Sequence, residues 1–341
     1  MRSRRVLVMT RRDLVPPETL EGLTPQEIER IKTDYDVVFE LRELGHEVEV
    51  VGLEGELEPL TEALARFRPH VVFNLLEEFA RSQAKMAYCL GYLELVGQAY
   101  TGCNPAGMLF STSKSLQRRL LRRARVRTPE YAIFRLGRAV KRPGRLQFPL
   151  IVKSATAHGS VGISRASIVE DDESLAERVG FVHERIGTDA IAESYIEGRE
   201  VYVSILGNHR LRVMPVMEMR FKNLAEGAPR IATEKVKRSP TYQKATGLDI
   251  VEARLDEEVE RRLISQCKRA YRALGQTGYA RMDVRVREDG RAYLIESNPN
   301  PQLSQDDEFA LATRAAGMSY AEVIGRIVSL GVRWAREPRE G

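Results

Sequence analysis

Residues 293–301, YLIESNPNP, run an apolar strand straight into Glu296 and Asn298. Upstream, GYARMDVRV carries Arg281 and Asp283, and Asp289-Gly290 between the two runs is a strong hairpin signal. With those two residues as the turn, Asp283 faces Glu296 and Arg281 faces Asn298. Met282, Val284 and Val286 then lie against Tyr293 and Ile295 on the core side. Two carboxylates opposed across a strand pair repel one another unless a cation sits between them. Hard divalent ions accept such ligands, often one or two carboxylates completed by substrate phosphates. Asn298 adds an amide oxygen on the same face, and Arg281 could offset charge or hold a reacting oxyanion. The plainer reading is a salt-bridge cluster on a solvated sheet face.

A second group lies in FPLIVKSATAHGSVGIS, residues 148–164. Lys153 ends an apolar run and needs an anionic partner if buried. The small polar stretch Gly159, Ser160, Val161, Gly162 would let backbone N–H groups approach phosphate oxygens. The Walker pattern GxxxxGK[ST] is absent, and a plain hairpin loop is the simpler alternative. Lys114 falls at the start of a helix in STSKSLQRRLL, where spacing alone does not separate it from a surface lysine. In AESYIEGREV, Glu193, Tyr195 and Ile196 lie on a strand before a turn and Glu200 follows. Carboxylates and backbone groups at a strand end could read an adenine and a ribose. An acidic hairpin is the bland alternative.

The elements that must position these groups can be read from periodicity. RVLVMT, HEVEVVGL and HVVFNLL read as strands separated by PQEIERIKTDYDVVFELRELG and LTEALARF as helices. That βαβαβ order implies a parallel sheet, and no GxGxxG follows the first strand. YTGCNPAG reads as a linker. Beyond it the pattern is mostly strands: EYAIF, PLIVKSA, SVGISRASIV and AIAESYIEGREVYVSIL, with one helix over ESLAERVGFVHERI. A polar irregular stretch at 220–247, the helix EEVERRLISQCKRAYRALG, the hairpin and a last helix near 319–335 follow. The fold class expected is α/β. Hydrophobic content of 43% over 341 residues suits an ordinary globular chain with two or three units. No apolar run is long enough to span a membrane, and no cleavable leader is evident, so a cytoplasmic protein with no membrane partner is expected. Cys89, Cys103 and Cys267 stand far apart, which disfavours structural zinc and a disulfide framework. The run RRLLRRARVR, 118–127, reads as a solvated helix face with Leu120 and Leu121 inward, so a nucleic-acid partner is not expected.

Taken in order, VVFNLLEE, STSKSLQRRLL with TPEY, FPLIVKSATAHGSVGIS, ESYIEGREVYVSILGN, GYARMDVRV and LIESNPNP resemble the ATP-grasp superfamily, closest to its D-alanine–D-alanine ligase branch. The resemblance runs from about residue 70 to residue 330. It implies an ATP-grasp fold, with an N-terminal α/β domain over 1–109 and two α+β subdomains, 110–192 and 193–341, clamping ATP. It implies that Lys114 and Lys153 bind ATP phosphates and that Gly159 to Gly162 close over them. Glu193, the backbone of Tyr195 and Ile196, and Glu200 would contact adenine and ribose. Magnesium would be held by Asp283, Glu296 and Asn298, ligands that manganese also accepts. Arg281 would stabilise a tetrahedral intermediate, and Lys237, with Lys235 as the alternative, would cover the γ-phosphate. The chemistry implied is amide formation through an acyl phosphate, from a small-molecule acid and an amine. A homodimer through the N-terminal region is implied as well.

The substrate half departs from the family pattern. MTRRDLVPPETLEG replaces the glycine-rich stretch after strand one, and NLLEEFARSQ, with Asn74 and Glu77, replaces the loop after strand three. Arg238 stands where the family has a tyrosine. Asp306 and Asp307 occupy the neighbourhood that grips the accepting carboxylate. Those five residues are the expected substrate contacts. Acids aimed at a carboxylate repel it, so the expected acceptor is cationic or neutral and D-alanine is disfavoured, unless the acids merely cap a helix. The competing expectations are a divergent D-alanine–D-alanine ligase, a small-molecule kinase, and a non-catalytic ATP-binding scaffold.

Overall fold

In β1 (Arg5–Arg11) every residue from Val6 to Thr10 is buried, as a central parallel strand requires. The computed structural model describes residues 2–156, 162–224, 231, 233, 236 and 239–335. The expected contacts Gly159, Ser160, Val161, Lys235, Lys237 and Arg238 lie outside the described residues.

α1 (Pro25–Glu43) begins with a capping box, Thr24 accepting the Glu27 N–H while the Glu27 carboxylate accepts the Thr24 N–H. β2 (Glu47–Leu53), α2 (Glu58–Phe67) and β3 (Val71–Asn74) complete the βαβαβ unit, a parallel sheet ordered β2-β1-β3. Two helices follow, α3 (Gln83–Leu95) and α4 (Pro105–Thr112). The stretch expected as a linker is therefore partly helical. Asn104 caps α4 by accepting the Gly107 N–H and Pro105 sits in its first turn, so Asn-Pro here starts a helix. α5 (Lys114–Arg123) carries the basic run, with Ser113 as its cap.

β4 (Tyr131–Phe134), β5 (Leu150–Ser154), β6 (Ile168–Val169), α6 (Asp172–Phe181) and β7 (Ala190–Ser194) form the central unit, with antiparallel order β4-β7-β5-β6. The strand expected over 160–169 shrinks to β6, because Ser164 and Ser167 cap one another around a single 3-10 turn. The boundary expected at 192–193 falls inside β7; we propose the division after Ser194.

β8 (Arg199–Leu206), β9 (Arg212–Val213), β10 (Met217–Phe221), α7 (Pro240–Thr246), β11 (Leu248–Glu252), α8 (Glu257–Ala273), β12 (Tyr279–Val286) and β13 (Ala292–Pro299) make the third unit. Its sheet is ordered β11-β10-β8-β12-β13, with β9 on β8. α9 (Glu308–Ala315) and α10 (Tyr320–Trp334) end the described chain. α10 returns to the N-terminal sheet: Ile324, Ile327 and Val328 join one core with Val37, Val38, Leu41 and Phe73. Among the described residues no helix is long and apolar enough to cross a membrane.

The hairpin reaches the expected pairing by an unexpected route. Arg287 N–H donates to the Arg291 carbonyl and Gly290 takes φ +74°, so the turn holds three residues, 288–290, instead of two. Val286 pairs Ala292 and Val284 pairs Leu294, which puts Ala292 and Leu294 on the core face in place of Tyr293 and Ile295. A bulge at Ile295 then absorbs the extra residue, and Asp283 faces Glu296 as the sequence implied.

Asp34 is the misfit in the first unit. It shares the buried face of α1 with Ile31, Val38 and Leu41, and the Thr10 hydroxyl donates to its carboxylate. Burial pushes its pKa from 3.8 up to about 7, with the Thr10 bond opposing. The folded state then holds a proton that the unfolded chain releases, so stability falls as pH rises from about 4 to about 7. Asp34→Asn keeps the acceptor without the ionisation. Thermal unfolding should show a midpoint a few degrees above wild type at pH 8 and no gain at pH 4; parallel curves at both pH values would refute this.

Candidate active site

One face of β12 and β13 carries the charged residues. Arg281 lies opposite Asn298 and Asp283 opposite Glu296. The Arg281 guanidinium grips Asp283 through two bonds, 2.8 and 3.1 Å, and reaches Glu308 at the start of α9 at 2.7 Å. Its charge lies 5.0 Å from the centre of the Tyr202 ring. Burial favours the neutral guanidine, but Asp283 and Glu308 outweigh it and hold the arginine pKa well above its ordinary value. Asn298 donates its amide N–H to Asp283 at 3.0 Å. Glu296 lies 3.5 Å from the Lys114 ammonium. The two opposed carboxylates therefore each have a side-chain cation of their own, Arg281 and Lys114, which relieves their repulsion without an ion between them. Among the described residues no three His, Cys, Asp or Glu side chains cluster as metal ligands. Asp283, Glu296 and the Asn298 amide are nonetheless a set of oxygen donors, the kind a hard divalent cation takes when phosphates complete its shell.

A buried ion cluster backs this face. Glu193 on β7 is fully buried, between Arg118 of α5 and Lys153 of β5, which are 1% and 8% exposed. One Glu193 oxygen lies 2.5 Å from Arg118 Nη2, and the other lies 2.6 Å from Lys153 Nζ. Desolvation alone would raise the Glu193 pKa; the two cations more than offset it and hold the group ionised. Arg118 also donates to the carbonyls of Leu294 and Ile295, at 3.1 and 2.5 Å, where the bulge turns both towards it. Lys114 and Arg118 are four residues apart on α5 and so share a face. Burial lowers the Lys114 pKa, with Glu296 opposing. Reading the basic run as solvated thus missed its buried member, although the i, i+4 spacing from Lys114 was the available signal.

The expected nucleotide contacts have partners of their own. Glu193 pairs with Lys153 and Arg118, so its carboxylate anchors a lysine. Glu200 pairs with Arg285 at 2.8 Å and accepts from the Tyr202 hydroxyl at 3.1 Å. Tyr195 donates its backbone N–H to the Pro149 carbonyl at 2.9 Å, and Ile196 follows in the segment between β7 and β8. Gly162, at φ +69°, is the only described member of the expected phosphate loop.

Residues 120–329 match the family described as D-ala D-ala ligase C-terminus. The chain belongs to that ligase family. It is 32% identical over 245 residues to a D-alanine–D-alanine ligase of Desulforudis audaxviator, covering 70% of this chain and 75% of that one. A further relative, an uncharacterized protein of Sinorhizobium fredii, is 30% identical over 305 residues, 87% of this chain and 86% of its own. Among solved structures, the Bacillus anthracis D-alanine–D-alanine ligase complexed with ATP superposes with a TM-score of 0.76 at 21% identity, covering 98% of this chain and 99% of that one. The fold is thus the ATP-grasp fold of these ligases.

On the substrate side, the acids after β13 have partners within the chain. Asp306 pairs with Lys32 of α1, the Ser304 hydroxyl donates to Asp307, and Glu308 holds Arg281. Burial raises the Asp307 pKa to about 6, with the Ser304 bond opposing. Asp36 of α1 accepts the Gln305 N–H at 3.1 Å, so α1 fastens this loop at two points. Asn74 is fully buried and accepts the Leu76 N–H at 3.1 Å, which forms the turn after β3. Glu77 is exposed and accepts from Gln302 at 3.3 Å, joining the first unit to the third.

Glu193→Gln leaves two buried cations with no counter-charge, a change that costs about 3–5 kcal/mol in comparable buried pairs. Urea denaturation should show that loss. A variant as stable as wild type would mean that the cluster contributes nothing to folding.

Proposed function

We propose that this ligase-family chain joins a small amino acid or peptide carboxylate to an amine, using ATP. The observation that supports this best is the chain of contacts from Lys153 through Glu193 and Arg118 to the bulge beside Glu296. It links Lys153 to the strand that carries Glu296, and Glu296 in turn lies beside Lys114. Lys114 and Lys153 position and neutralise the phosphate oxygens. Asp283, Glu296 and Asn298 would hold magnesium, which offsets charge on the transferred phosphoryl group. The acid oxygen attacks the γ-phosphorus, ADP leaves, and an acyl phosphate forms. The amine then attacks the acyl carbon, phosphate leaves, and the proton lost by nitrogen passes to solvent. Arg281 steadies the tetrahedral oxyanion. The Bacillus anthracis ligase that shares this fold is complexed with ATP, which supports ATP as the nucleotide.

Glu193 and Glu200 serve this reading as holders of Lys153 and Arg285, leaving the Tyr195–Ile196 backbone as the proposed adenine contact. The argument against an accepting D-alanine loses its ground, because Asp306, Asp307 and Glu308 each have an internal partner. A D-alanine–D-alanine ligase is therefore the second reading, favoured by the relatives of that name at 30–32% identity. A non-catalytic scaffold is disfavoured by the complete set Arg281, Asp283, Glu296 and Asn298.

The test is phosphate release from ATP with D-alanine and with pools of amino acids and dipeptides. Release should need both acid and amine and should fall roughly 100-fold or more in Glu296→Ala. With hydroxylamine in place of the amine, a hydroxamate of the acid should accumulate. A phosphorylated product with no amine present would make the protein a kinase. Nucleotide binding without turnover on any pool would favour the scaffold. In Arg281→Lys the turnover rate should drop about 100-fold with ATP affinity little changed; equal losses in both would place Arg281 in nucleotide binding.

A further inference from the structure

The turn between β8 and β9 and one face of α10 enclose a cleft of about 390 Å³ that the ligase reaction does not use. Arg210 and Arg212 line it from the turn side, and Arg326 and Arg333 from α10. Arg326, Leu330 and Arg333 stand at i, i+4 and i+7, so both arginines project from one helix face. His209 and Asn208 line it as well, and among the described residues no carboxylate does. Among the described residues none of the four guanidiniums has an acidic side chain within ion-pair reach. The arginines of the active-site face contrast with them: Arg118, Arg281 and Arg285 are all paired with acids.

The walls of the cleft are braced. The Gly207 N–H donates to the Gly278 carbonyl at 2.7 Å, and the Tyr271 hydroxyl donates to the Gly207 carbonyl at 2.7 Å. Asn208 accepts the Gly278 N–H at 3.1 Å and donates to the Leu330 carbonyl at 3.3 Å, tying the turn directly to α10. Gly207 takes φ +140°, and a Cβ there would lie 2.1 Å from the Arg210 carbonyl oxygen, so the tight turn that aims Arg210 depends on this glycine. The four arginines are exposed side chains lining one cleft, and their like charges repel one another until something neutralises them. Each guanidinium offers a planar fork of donors suited to phosphate or carboxylate oxygens.

We infer that this cleft is a second binding site, for a compact ligand bearing three or four clustered anionic groups. A monoanion would leave most of the charge uncompensated, and an extended polymer would meet a concave site bounded by the turn and the helix. The cleft sits at the Leu206 end of β8, away from Glu200 at the other end, so it is separate from the nucleotide site proposed above.

Calorimetric titration of the full chain tests this, with the nucleotide site saturated by a non-hydrolysable ATP analogue and magnesium in excess. Inorganic tripolyphosphate and citrate are the probes. Wild type should bind one or both with one site per chain. Tripolyphosphate alone would assign a phosphate ligand, and citrate alone a carboxylate ligand. Arg326→Gln/Arg333→Gln should weaken binding roughly tenfold or more, and Arg210→Gln/Arg212→Gln likewise. Arg122→Gln/Arg123→Gln on α5 should leave it unchanged. Unfolding curves without anion establish that each variant is folded. No binding by wild type, equal affinity in the cleft variants, or binding only of a long oligonucleotide would overturn the inference.

Discussion

The carboxylate of Glu193 holds the molecule's functional half together. A lone ionised carboxylate without exposure would be untenable, so its position demands cations. They arrive from two different elements, Arg118 from a helix and Lys153 from a neighbouring strand. Arg118 then spends its remaining donors on the backbone of β13 in the third unit. One buried anion thereby joins the central sheet, the connecting helix and the catalytic hairpin. Buried ion pairs seldom add net stability over apolar packing. What this one supplies is position, since each donor of the guanidinium fork accepts only one arrangement of its partners.

The face of β12 and β13 shows the complementary principle. The repulsion between Asp283 and Glu296 is offset by two basic side chains, Arg281 and Lys114, and both of those have work of their own in the reaction proposed here. On that proposal, the groups that offset charge on this face at rest are the same ones that would meet the reacting atoms.

Strong periodicity made the first βαβαβ unit and the catalytic hairpin legible in the sequence, because a buried parallel strand and an alternating hairpin each leave a pattern. The pairing of Asp283 with Glu296 was readable for the same reason. The inference behind it was flawed, since a longer turn and the bulge at Ile295 offset one another and neither leaves a residue-level mark. Asp34 and Arg118 were hidden because charged residues on a helix are ordinarily solvated; only tertiary placement shows that both point inward. The pairings of Asp306 and Glu308 were hidden for a related reason. Their partners Lys32 and Arg281 lie far away in the chain, and no local pattern records such pairings.

The bulge at Ile295 also separates the hairpin into two independently phased halves. Arg118 clamps the chain at Leu294 and Ile295, between the tip and the charged residues. Register on the catalytic side is therefore referred to the connecting helix and not to the turn at 288–290. Loop tips are where chains tolerate insertions and deletions most readily, and here a change of length at the tip would be taken up before it reached the carboxylates. The hairpin is free to drift at its outer end while its chemistry stays in step.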